Sequence, residues 1–296
     1  MRIVSLLPSV TEIVYALGLE EDLVGVTHEC DWPAAARLKP IVSVSALPAA
    51  STPAEVDRLV SASLGDGEPI YRLDEVAMRD LQPDLVLSQD LCAVCAVPSG
   101  KVNEALERLG CQAQVLSMDP SSLSEVFGCV IELGRVTGLE SVARDLVDRL
   151  AGRLTCVEQA VEGLQRPRTF ALEWSDPPFN GGHWVPEMIE TAGGEPVLAN
   201  RGTDSVRVTW KQIEEASADV IVFMPCGYGL DQAAVEAEGL LNRTELRSAD
   251  AIYAVDANAY FSRPGPRLVE AVEALAATLH PGSIDVPTAA AIRRIR

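Results

Sequence analysis

The sequence predicts an α/β protein with two similar lobes, whose mainly parallel sheets are joined by one long, rigid connector helix. Short buried strands alternate with helices in residues 1–118 and again in residues 167–281, which is typical of parallel sheets. Residues 119–166 are rich in leucine, valine, alanine, glutamate and arginine at helical spacing, without strands. We therefore expect an N-terminal lobe, connector helices, a C-terminal lobe and, over residues 282–296, a peripheral tail.

The first lobe begins with a buried strand and a helix. Ser9 and Glu12 have the spacing of a capping box, and Gly18 is expected to end this helix. In chain order the pattern predicts strands at 2–7, 23–27, 85–88 and 113–116, and helices at 9–17 and 102–109. Polar loops, at residues 28–33 and 89–92, follow two of these strands.

The connector and the second lobe follow. Residues 139–164 predict one continuous helix of roughly 39 Å, too long for an ordinary crossover between strands. Strands are predicted at 169–173 and 220–223, with a helix at 184–192. The segment ASADVIV, from Ala216, repeats the pattern of LQPDLVL, from Leu81: a helix end, an aspartate and a buried strand.

Composition excludes several classes of function. The 296 residues include 24 Lys and Arg against 43 Asp and Glu, a net charge of −19. Nucleic acids and anionic membranes are therefore not expected partners, because phosphate contacts need a basic face. No apolar run approaches the ~20 residues of a membrane span. The apolar run before Pro8 is also too short for a secretory signal, so we expect a cytoplasmic protein, periplasmic or lipid-anchored only if the N-terminus is truncated.

The loops after the predicted strands contain many aromatic, histidine and cysteine residues, including Trp174. Two facing α/β lobes form a cleft lined by such loops, and aromatic walls with a few polar groups suit large planar ligands. The candidate ligand-binding residues are His28, Glu29, Cys30, Trp32, Gln89, Asp90, Cys92, Phe179, His183, Trp184, Tyr228, Tyr260 and Phe261.

The Cys92-x-x-Cys95 spacing has three interpretations: a redox pair, part of a metal site, or a tight structural loop. Zinc or an Fe–S cluster would need further ligands, for which Cys30 and Cys226 are candidates. The other cysteines, Cys111, Cys129 and Cys156, are expected to be buried and inert. No recognised catalytic motif is present, so we do not predict an enzyme.

Residues 2–18, 23–33 and 81–87 resemble the periplasmic cobalamin-binding proteins of ABC transporters and, more broadly, their siderophore and haem-binding relatives. The segments around Phe179 and Tyr260 agree. The resemblance implies two α/β lobes joined by a long helix. It also implies ligand contacts from residues 28–32, 89–92, Phe179, Tyr260 and Phe261.

Members of that family that deliver a ligand to a transporter dock on their permease through one surface glutamate per lobe. The corresponding positions hold Val76 and Lys211, with Glu75 and Glu214 nearby but out of register, so a permease partnership is not predicted. The favoured function is a binding protein for a corrinoid or a similar large metal chelate held between the lobes. The alternative is a cytosolic metal or thiol protein, or an enzyme, that uses the cysteines to hold zinc or an Fe–S cluster.

Overall fold

The computed structural model describes residues 1–46, 48, 52–65, 70–90, 97–284 and 292–296. Its strands are β1 (Ile3–Ser5), β2 (Leu23–Thr27), β3 (Ile41–Ser45), β4 (Tyr71–Leu73), β5 (Leu85–Ser88), β6 (Gln114–Ser117), β7 (Arg168–Ser175), β8 (Pro178–Asn180), β9 (Glu195–Pro196), β10 (Val220–Phe223), β11 (Ala251–Val255) and β12 (Ile292–Arg294). Its α-helices are α1 (Pro8–Ala16), α2 (Pro53–Gly65), α3 (Glu75–Leu81), α4 (Ser99–Leu109), α5 (Leu123–Thr137), α6 (Glu140–Val161), α7 (Val185–Thr191), α8 (Trp210–Ala216), α9 (Leu230–Leu240), α10 (Ala257–Tyr260) and α11 (Leu268–Leu279).

The chain divides into two compact units. The N-terminal unit comprises Met1–Pro120 and Phe127–Val147, and the C-terminal unit comprises Ser121–Val126 and Asp148–Arg296. The division falls inside α6, so each unit contains part of this helix. The structure confirms the predicted class: α/β, with two mainly parallel sheets.

The sheet of the N-terminal unit has the strand order β4-β3-β2-β1-β5-β6, with only the edge pair β3–β4 antiparallel. Ile3 and Val4 of its central strand are fully buried, as expected for a strand covered on both faces. The first helix differs from the prediction. It begins at Pro8 after Leu7, without a side-chain cap, so Ser9 and Glu12 do not form a capping box.

The sheet of the C-terminal unit has the order β12-β11-β10-β7-β8, with β9 also paired to β7. Strands β7, β10 and β11 are parallel, so their carboxyl ends lie at one edge. The end of the chain differs from the peripheral tail we expected. Ile292–Arg294 forms the edge strand, antiparallel to β11, and the Arg296 guanidinium donates to the Ala249 carbonyl at 2.9 Å.

The predicted connector is α6, whose 22 residues span about 33 Å. Within the N-terminal unit, Gly134 of α5 packs so closely on Ala143 that a larger residue would collide. Within the C-terminal unit, Arg153 makes a two-point ion pair with Glu273 of α11, at 2.8 and 2.6 Å. Close packing and a bidentate pair therefore fix the two parts of α6 in their respective units.

Candidate functional site

Four aromatic side chains lie along the carboxyl edge of the C-terminal sheet. Trp174 is near the end of β7, Tyr228 follows β10, Tyr260 follows β11, and Phe179 lies on β8. The Trp174 and Tyr228 ring centroids are 5.7 Å apart in an edge-to-face arrangement, and Trp174 pairs with Phe179 in the β7–β8 register. We call these four residues the aromatic strip. All are partly exposed.

The loops that carry the strip are tied together by hydrogen bonds. The Asn258 backbone N–H donates to the Tyr228 carbonyl at 3.0 Å, which joins the loop after β11 to the loop after β10. Asp256 caps the short helix that carries Tyr260 by accepting from the Ala259 N–H at 2.9 Å. The rings are therefore held by backbone contacts as well as by packing, which favours a preformed surface.

Arginines accompany the strip. The Arg207 guanidinium carbon lies 5.6 Å from the Phe179 ring centroid, and that of Arg267 lies 5.3 Å from the Tyr260 ring centroid. A third arginine, Arg263, is buried and donates to the Asn258 side-chain oxygen at 3.0 Å. Guanidinium groups over aromatic faces are typical cation–π pairs.

The hydroxyl groups of the strip stay protonated near neutral pH. Burial, with the charge of Glu236 adding to it, raises the pKa of Tyr228. Burial, followed by the charge of Glu270, raises the pKa of Tyr260. Glu236, in turn, has its pKa raised by burial and accepts a hydrogen bond from Ser175. The Tyr260 phenol can therefore donate a hydrogen bond to a ligand, whereas the Tyr228 phenol is already hydrogen-bonded to Glu236.

A buried carboxyl group lies next to Trp174. Ser205 Oγ donates to Glu173 Oε2 at 2.7 Å and accepts from the Gly182 N–H at 3.0 Å. Burial raises the pKa of Glu173 to about 7, although these two groups lower it through hydrogen bonds. A side chain at position 182 would collide with the backbone of Asp204 and Ser205, so the close approach requires glycine.

His183, a predicted ligand contact, holds the same loop. Its N–H donates to the Thr203 carbonyl at 2.6 Å, and its carbonyl accepts from the Gly202 N–H at 3.0 Å. Its Nε2 lies 3.4 Å from Asp204 Oδ1. Burial lowers the pKa of His183, so the neutral form is favoured. These contacts give His183 a structural role, and ligand contact stays a prediction.

Two other predicted ligand contacts are buried in the structure. Trp184 is 6% exposed and donates its indole N–H to the Phe261 carbonyl at 2.8 Å, and Phe261 is 1% exposed. Their rings therefore have almost no surface to offer a ligand. The position of a residue after a strand therefore does not tell whether its side chain turns into the core or toward a ligand.

In the N-terminal unit, His28 and Trp32 lie in the loop after β2, and both side chains are exposed. His28 Nδ1 lies 3.2 Å from the Ser43 carbonyl oxygen, and the His28 ring centroid is 6.0 Å from that of Tyr71. The Tyr71 hydroxyl donates to Glu29 at 3.2 Å. Tyr71 was not among the predicted site residues, because its only signal in the sequence is an aromatic residue at the start of a strand of 3 residues.

Three further N-terminal candidates, Cys30, Gln89 and Asp90, are buried or hydrogen-bonded within their own unit. Cys30 is 3% exposed, with its sulfur 3.0 Å from Thr11 Oγ1, and Gln89 is 4% exposed. The Asp90 carboxylate accepts from the Ser99 N–H at 2.7 Å and from Ser117 Oγ at 3.1 Å. Burial raises the pKa of Asp90, but these hydrogen bonds outweigh it, and the pKa is lower than usual. Cys30 and Gln89 therefore have almost no surface to offer a ligand, whereas Asp90 is exposed and its contact with a ligand stays a prediction.

The metal hypothesis gains no support. Cys92 and Cys95 lie outside the described residues, and among the residues that are described no group of three or more His, Cys, Asp or Glu could hold a metal ion. Cys30 is buried, whereas Cys226 is exposed. Cys111 and Cys129 are only partly buried, and Cys156, which we expected to be buried, is exposed on α6.

Within the described part of the chain, no helix combines the length and the apolar character that a membrane span requires.

Comparison with known proteins assigns the family. A family model described as "Periplasmic binding protein" matches residues 3–256. An uncharacterised ABC transporter substrate-binding lipoprotein of Bacillus subtilis is 27% identical over 286 residues, 95% of this chain and 80% of the relative. A vitamin B12-binding protein of Yersinia pestis is 23% identical over 225 residues, 75% of this chain and 68% of the relative.

Solved structures share the fold. A periplasmic haem-binding protein of Pseudomonas aeruginosa superimposes with a TM-score of 0.72 at 19% identity, covering 99% of this chain and 97% of the other. A periplasmic vitamin B12-binding protein of Vibrio cholerae gives 0.65 at 22% identity, covering 94% and 96%.

These matches correct one expectation. We predicted a cytoplasmic protein from the first residues of the chain, but the matching proteins are described as periplasmic or as lipoproteins. The cytoplasmic prediction is therefore wrong.

Proposed function

The chain belongs to the periplasmic binding protein family, a family of solute-binding proteins rather than enzymes, and we propose that it binds a large metal chelate of the corrinoid or haem class. Relatives named as vitamin B12-binding and haem-binding proteins support this ligand class. Both ligands are wide, flat macrocycles with a central metal ion and a polar rim.

The observation that carries the proposal is the aromatic strip. Trp174, Phe179, Tyr228 and Tyr260 occupy neighbouring positions along the sheet order β8-β7-β10-β11, and each is partly exposed. Aromatic rings bind flat apolar surfaces with large contact areas and little loss of conformational freedom. Such a strip therefore suits the face or edge of a macrocycle better than a small polar solute.

The N-terminal unit offers fewer groups of this kind. Trp32, which is 50% exposed, and His28 are the predicted contacts that remain accessible there. We propose that these two side chains are the accessible ligand-binding groups of the N-terminal unit, and that His28 offers an imidazole nitrogen to a metal ion or a polar rim group.

We also infer that the protein works outside the cytoplasm as the binding component of an ABC transporter. The relative named as an ABC transporter substrate-binding lipoprotein supports this role. Val76 and Lys211 are both exposed, so they are available to a permease although neither is a glutamate. Co-purification with an ABC permease of the same host, and its loss in a bulky Val76→Trp variant, would test whether this surface is used.

The ligand proposal is tested by titrating the purified protein with cyanocobalamin and with haemin, following tryptophan fluorescence and visible absorption. At least one chelate should bind with a Kd of about 1 μM or tighter. Trp174→Ala should weaken that binding by about tenfold or more, while the melting temperature changes little. Absence of binding to both chelates by the wild-type protein would contradict the proposal.

A further inference from the structure

A carboxyl group on α9 contacts the aromatic strip at its two inner members, Trp174 on β7 and Tyr228 after β10. Glu236 accepts a hydrogen bond from Ser175 Oγ, and Ser175 directly follows Trp174 in β7. It also accepts from the Tyr228 hydroxyl, and the Tyr228 ring centroid lies 5.7 Å from that of Trp174. Glu236 therefore acts on one inner ring directly and on the other through the next residue.

The surroundings of Glu236 disfavour its ionised form. Burial is the largest cause that raises its pKa, the hydrogen bonds from Ser175 and Tyr228 lower it, and the charge of Asp176 raises it further. β11 packs against α9 with apolar side chains, and Arg293 of β12 is paired at 2.7 Å with Asp231, near the start of α9. Within the described part of the chain, hydroxyl groups rather than a lysine or arginine therefore face this carboxyl group.

The Tyr228 hydroxyl has a second partner, Gln232, which lies one turn before Glu236 on the same helix. The contact with Gln232 lowers the pKa of the phenol, so the amide donates to the phenol oxygen. The contact with Glu236 raises that pKa, so there the phenol donates. While Glu236 is ionised, the Tyr228 proton is therefore used within the protein and is not offered to a ligand.

Protonation of Glu236 allows this hydrogen bond to reverse. An ionised carboxylate only accepts hydrogen bonds, whereas a protonated carboxyl group carries one O–H donor. The Glu236 O–H can then donate to the phenol oxygen, and the Tyr228 O–H becomes available to a ligand on the strip. The proton comes from solvent and forms one O–H bond on the carboxylate, so the charge of the site rises by one.

A ligand that covers the strip favours the protonated form. Tyr228 and Glu236 are both partly exposed, and a flat chelate lying over the rings removes water from them. Because loss of water disfavours the ionised carboxylate, the bound ligand raises the pKa of Glu236 further. Protonation must in turn tighten ligand binding by the same factor, since coupling between two sites is reciprocal.

We propose that Glu236 and Tyr228 form a proton-dependent hydrogen-bond switch in the ligand-binding surface, so that the protein binds its chelate more tightly in acid and takes up a proton on binding. The inference rests on the proposed function and adds regulation to it, because the ligand is released more readily as pH rises. Tyr228 is the ligand contact, and Glu236 is a positioning residue that acts through it.

The test measures the Kd of the chelate that binds, cyanocobalamin or haemin, from about pH 5 to pH 8. The wild-type Kd should rise by up to about tenfold per pH unit over the range in which Glu236 ionises, since one proton is coupled to binding. Calorimetry in two buffers with different enthalpies of ionisation should show net proton uptake when the ligand binds.

Two glutamine variants isolate the carboxyl group. Glu236→Gln imitates the protonated form, because an amide is neutral and offers both a donor and an acceptor. It should keep the affinity that the wild type shows in acid, without the rise in Kd at higher pH. Glu238→Gln is the matched control, since it removes the same charge from an exposed position of the same helix. It should keep the wild-type pH dependence.

Two phenylalanine variants isolate the phenol. Tyr228→Phe should lose the gain in affinity in acid, whereas Tyr260→Phe should keep it, because the Tyr260 hydroxyl is not a partner of Glu236. Any titration of the ligand itself is common to all four variants and to the wild type, so it cancels in these comparisons. Circular dichroism should show the wild-type fold in each variant.

The outcomes separate the two proposals. If the wild-type protein binds neither chelate, the proposed function fails and this inference fails with it. If a chelate binds but Glu236→Gln keeps the wild-type pH dependence, only the inference is overturned. It is also overturned if Tyr228→Phe keeps that dependence, because the carboxyl group would then act by its charge and not through the phenol.

Discussion

The two sheets end in loops of different chemistry, although their topologies are similar. At the carboxyl edge of the C-terminal sheet lie four partly exposed rings, and an arginine lies beside each of the two outer ones, Phe179 and Tyr260. At the corresponding edge of the N-terminal sheet, β1, β2 and β5 end in the small buried residues Ser5, Thr27 and Ser88, and the buried Gln89 follows β5. The partly exposed aromatic rings therefore form a row at this edge in the C-terminal unit, whereas the described loops beyond the N-terminal edge expose His28 and Trp32. We expect most of the ligand affinity to come from the C-terminal unit.

The largest expected effects compare one exposed ring from each unit. Phe179→Ala should weaken binding of the chelate by about 1–3 kcal/mol, because it removes an anchor on the strip. Trp32→Ala should cost less than about 1 kcal/mol, since Trp32 is half exposed in a loop of the N-terminal unit. Isothermal titration of the two variants checks this order, and a larger loss for Trp32→Ala would reverse the comparison.

One glycine-to-alanine variant in each unit compares how closely the two units are packed around these positions. Gly182→Ala should lower the free energy of unfolding by about 2–3 kcal/mol, because the new methyl group meets the backbone of Asp204 and Ser205. Gly25→Ala in β2 should lower it by about 1 kcal/mol, since the new methyl group meets side-chain atoms of Leu81 and Val42 rather than backbone. Urea unfolding measures both free energies. Equal decreases in the two variants would show that the backbone of Asp204 and Ser205 shifts to make room for the methyl group.

One carboxyl group in each unit should make the free energy of unfolding depend on pH, and the two dependences should have opposite directions. The pKa of Glu173 is raised from 4.5 to about 7, so its protonated form stabilises the fold, and this stability is lost as pH rises from about 4.5 to 7. The pKa of Asp90 is lowered, so its stabilisation is present above its ordinary value of 3.8 and is lost as pH falls through the pKa of the folded state.

Two variants separate these contributions. Glu173→Gln should remove the fall in the free energy of unfolding between about pH 4.5 and pH 7. Asp90→Asn should be destabilising at neutral pH, with a difference from wild type that shrinks in acid. Urea unfolding across this range provides the measurement. A wild-type pH dependence that Glu173→Gln leaves unaltered would show that this carboxyl group is ordinarily ionised in the fold.

The smallest expected difference concerns two cysteines after strands. Cys226 in the C-terminal unit is exposed, whereas Cys30 in the N-terminal unit is buried against Thr11. Mild alkylation of the native protein should therefore modify Cys226 well before Cys30, because a thiol reacts only when it is accessible and ionised. Mass spectrometry of the tryptic peptides reports the order, and faster labelling of Cys30 would show that its loop opens readily.

Local sequence patterns predicted the alternation of strands and helices, since buried strands and amphipathic helices differ in periodicity. The position of Tyr228 and Tyr260, a few residues after strands, also made them candidate ligand contacts. The pattern could not separate these from Phe261, which comes next in the chain but turns into the core. Orientation of a loop side chain depends on packing that sequence spacing does not report.

Two contacts and one strand of the structure were also not predicted from the sequence. Arg207 reaches Phe179 from a separate segment, and Ser205 reaches Glu173 across 32 positions of the chain. Such pairs form only when distant segments meet. Ile292–Arg294 was missed because a strand of 3 residues is too short to show alternation.

The most direct test of the central claim, that the aromatic strip binds the chelate, uses two double variants. Tyr228→Ala/Tyr260→Ala removes both rings, whereas Tyr228→Phe/Tyr260→Phe removes only the hydroxyl groups. The Kd of the chelate should rise by about 100-fold or more in the first variant and by less than about tenfold in the second, at matched melting temperatures. If the alanine variant binds the chelate as tightly as the phenylalanine variant, the strip is not the binding surface.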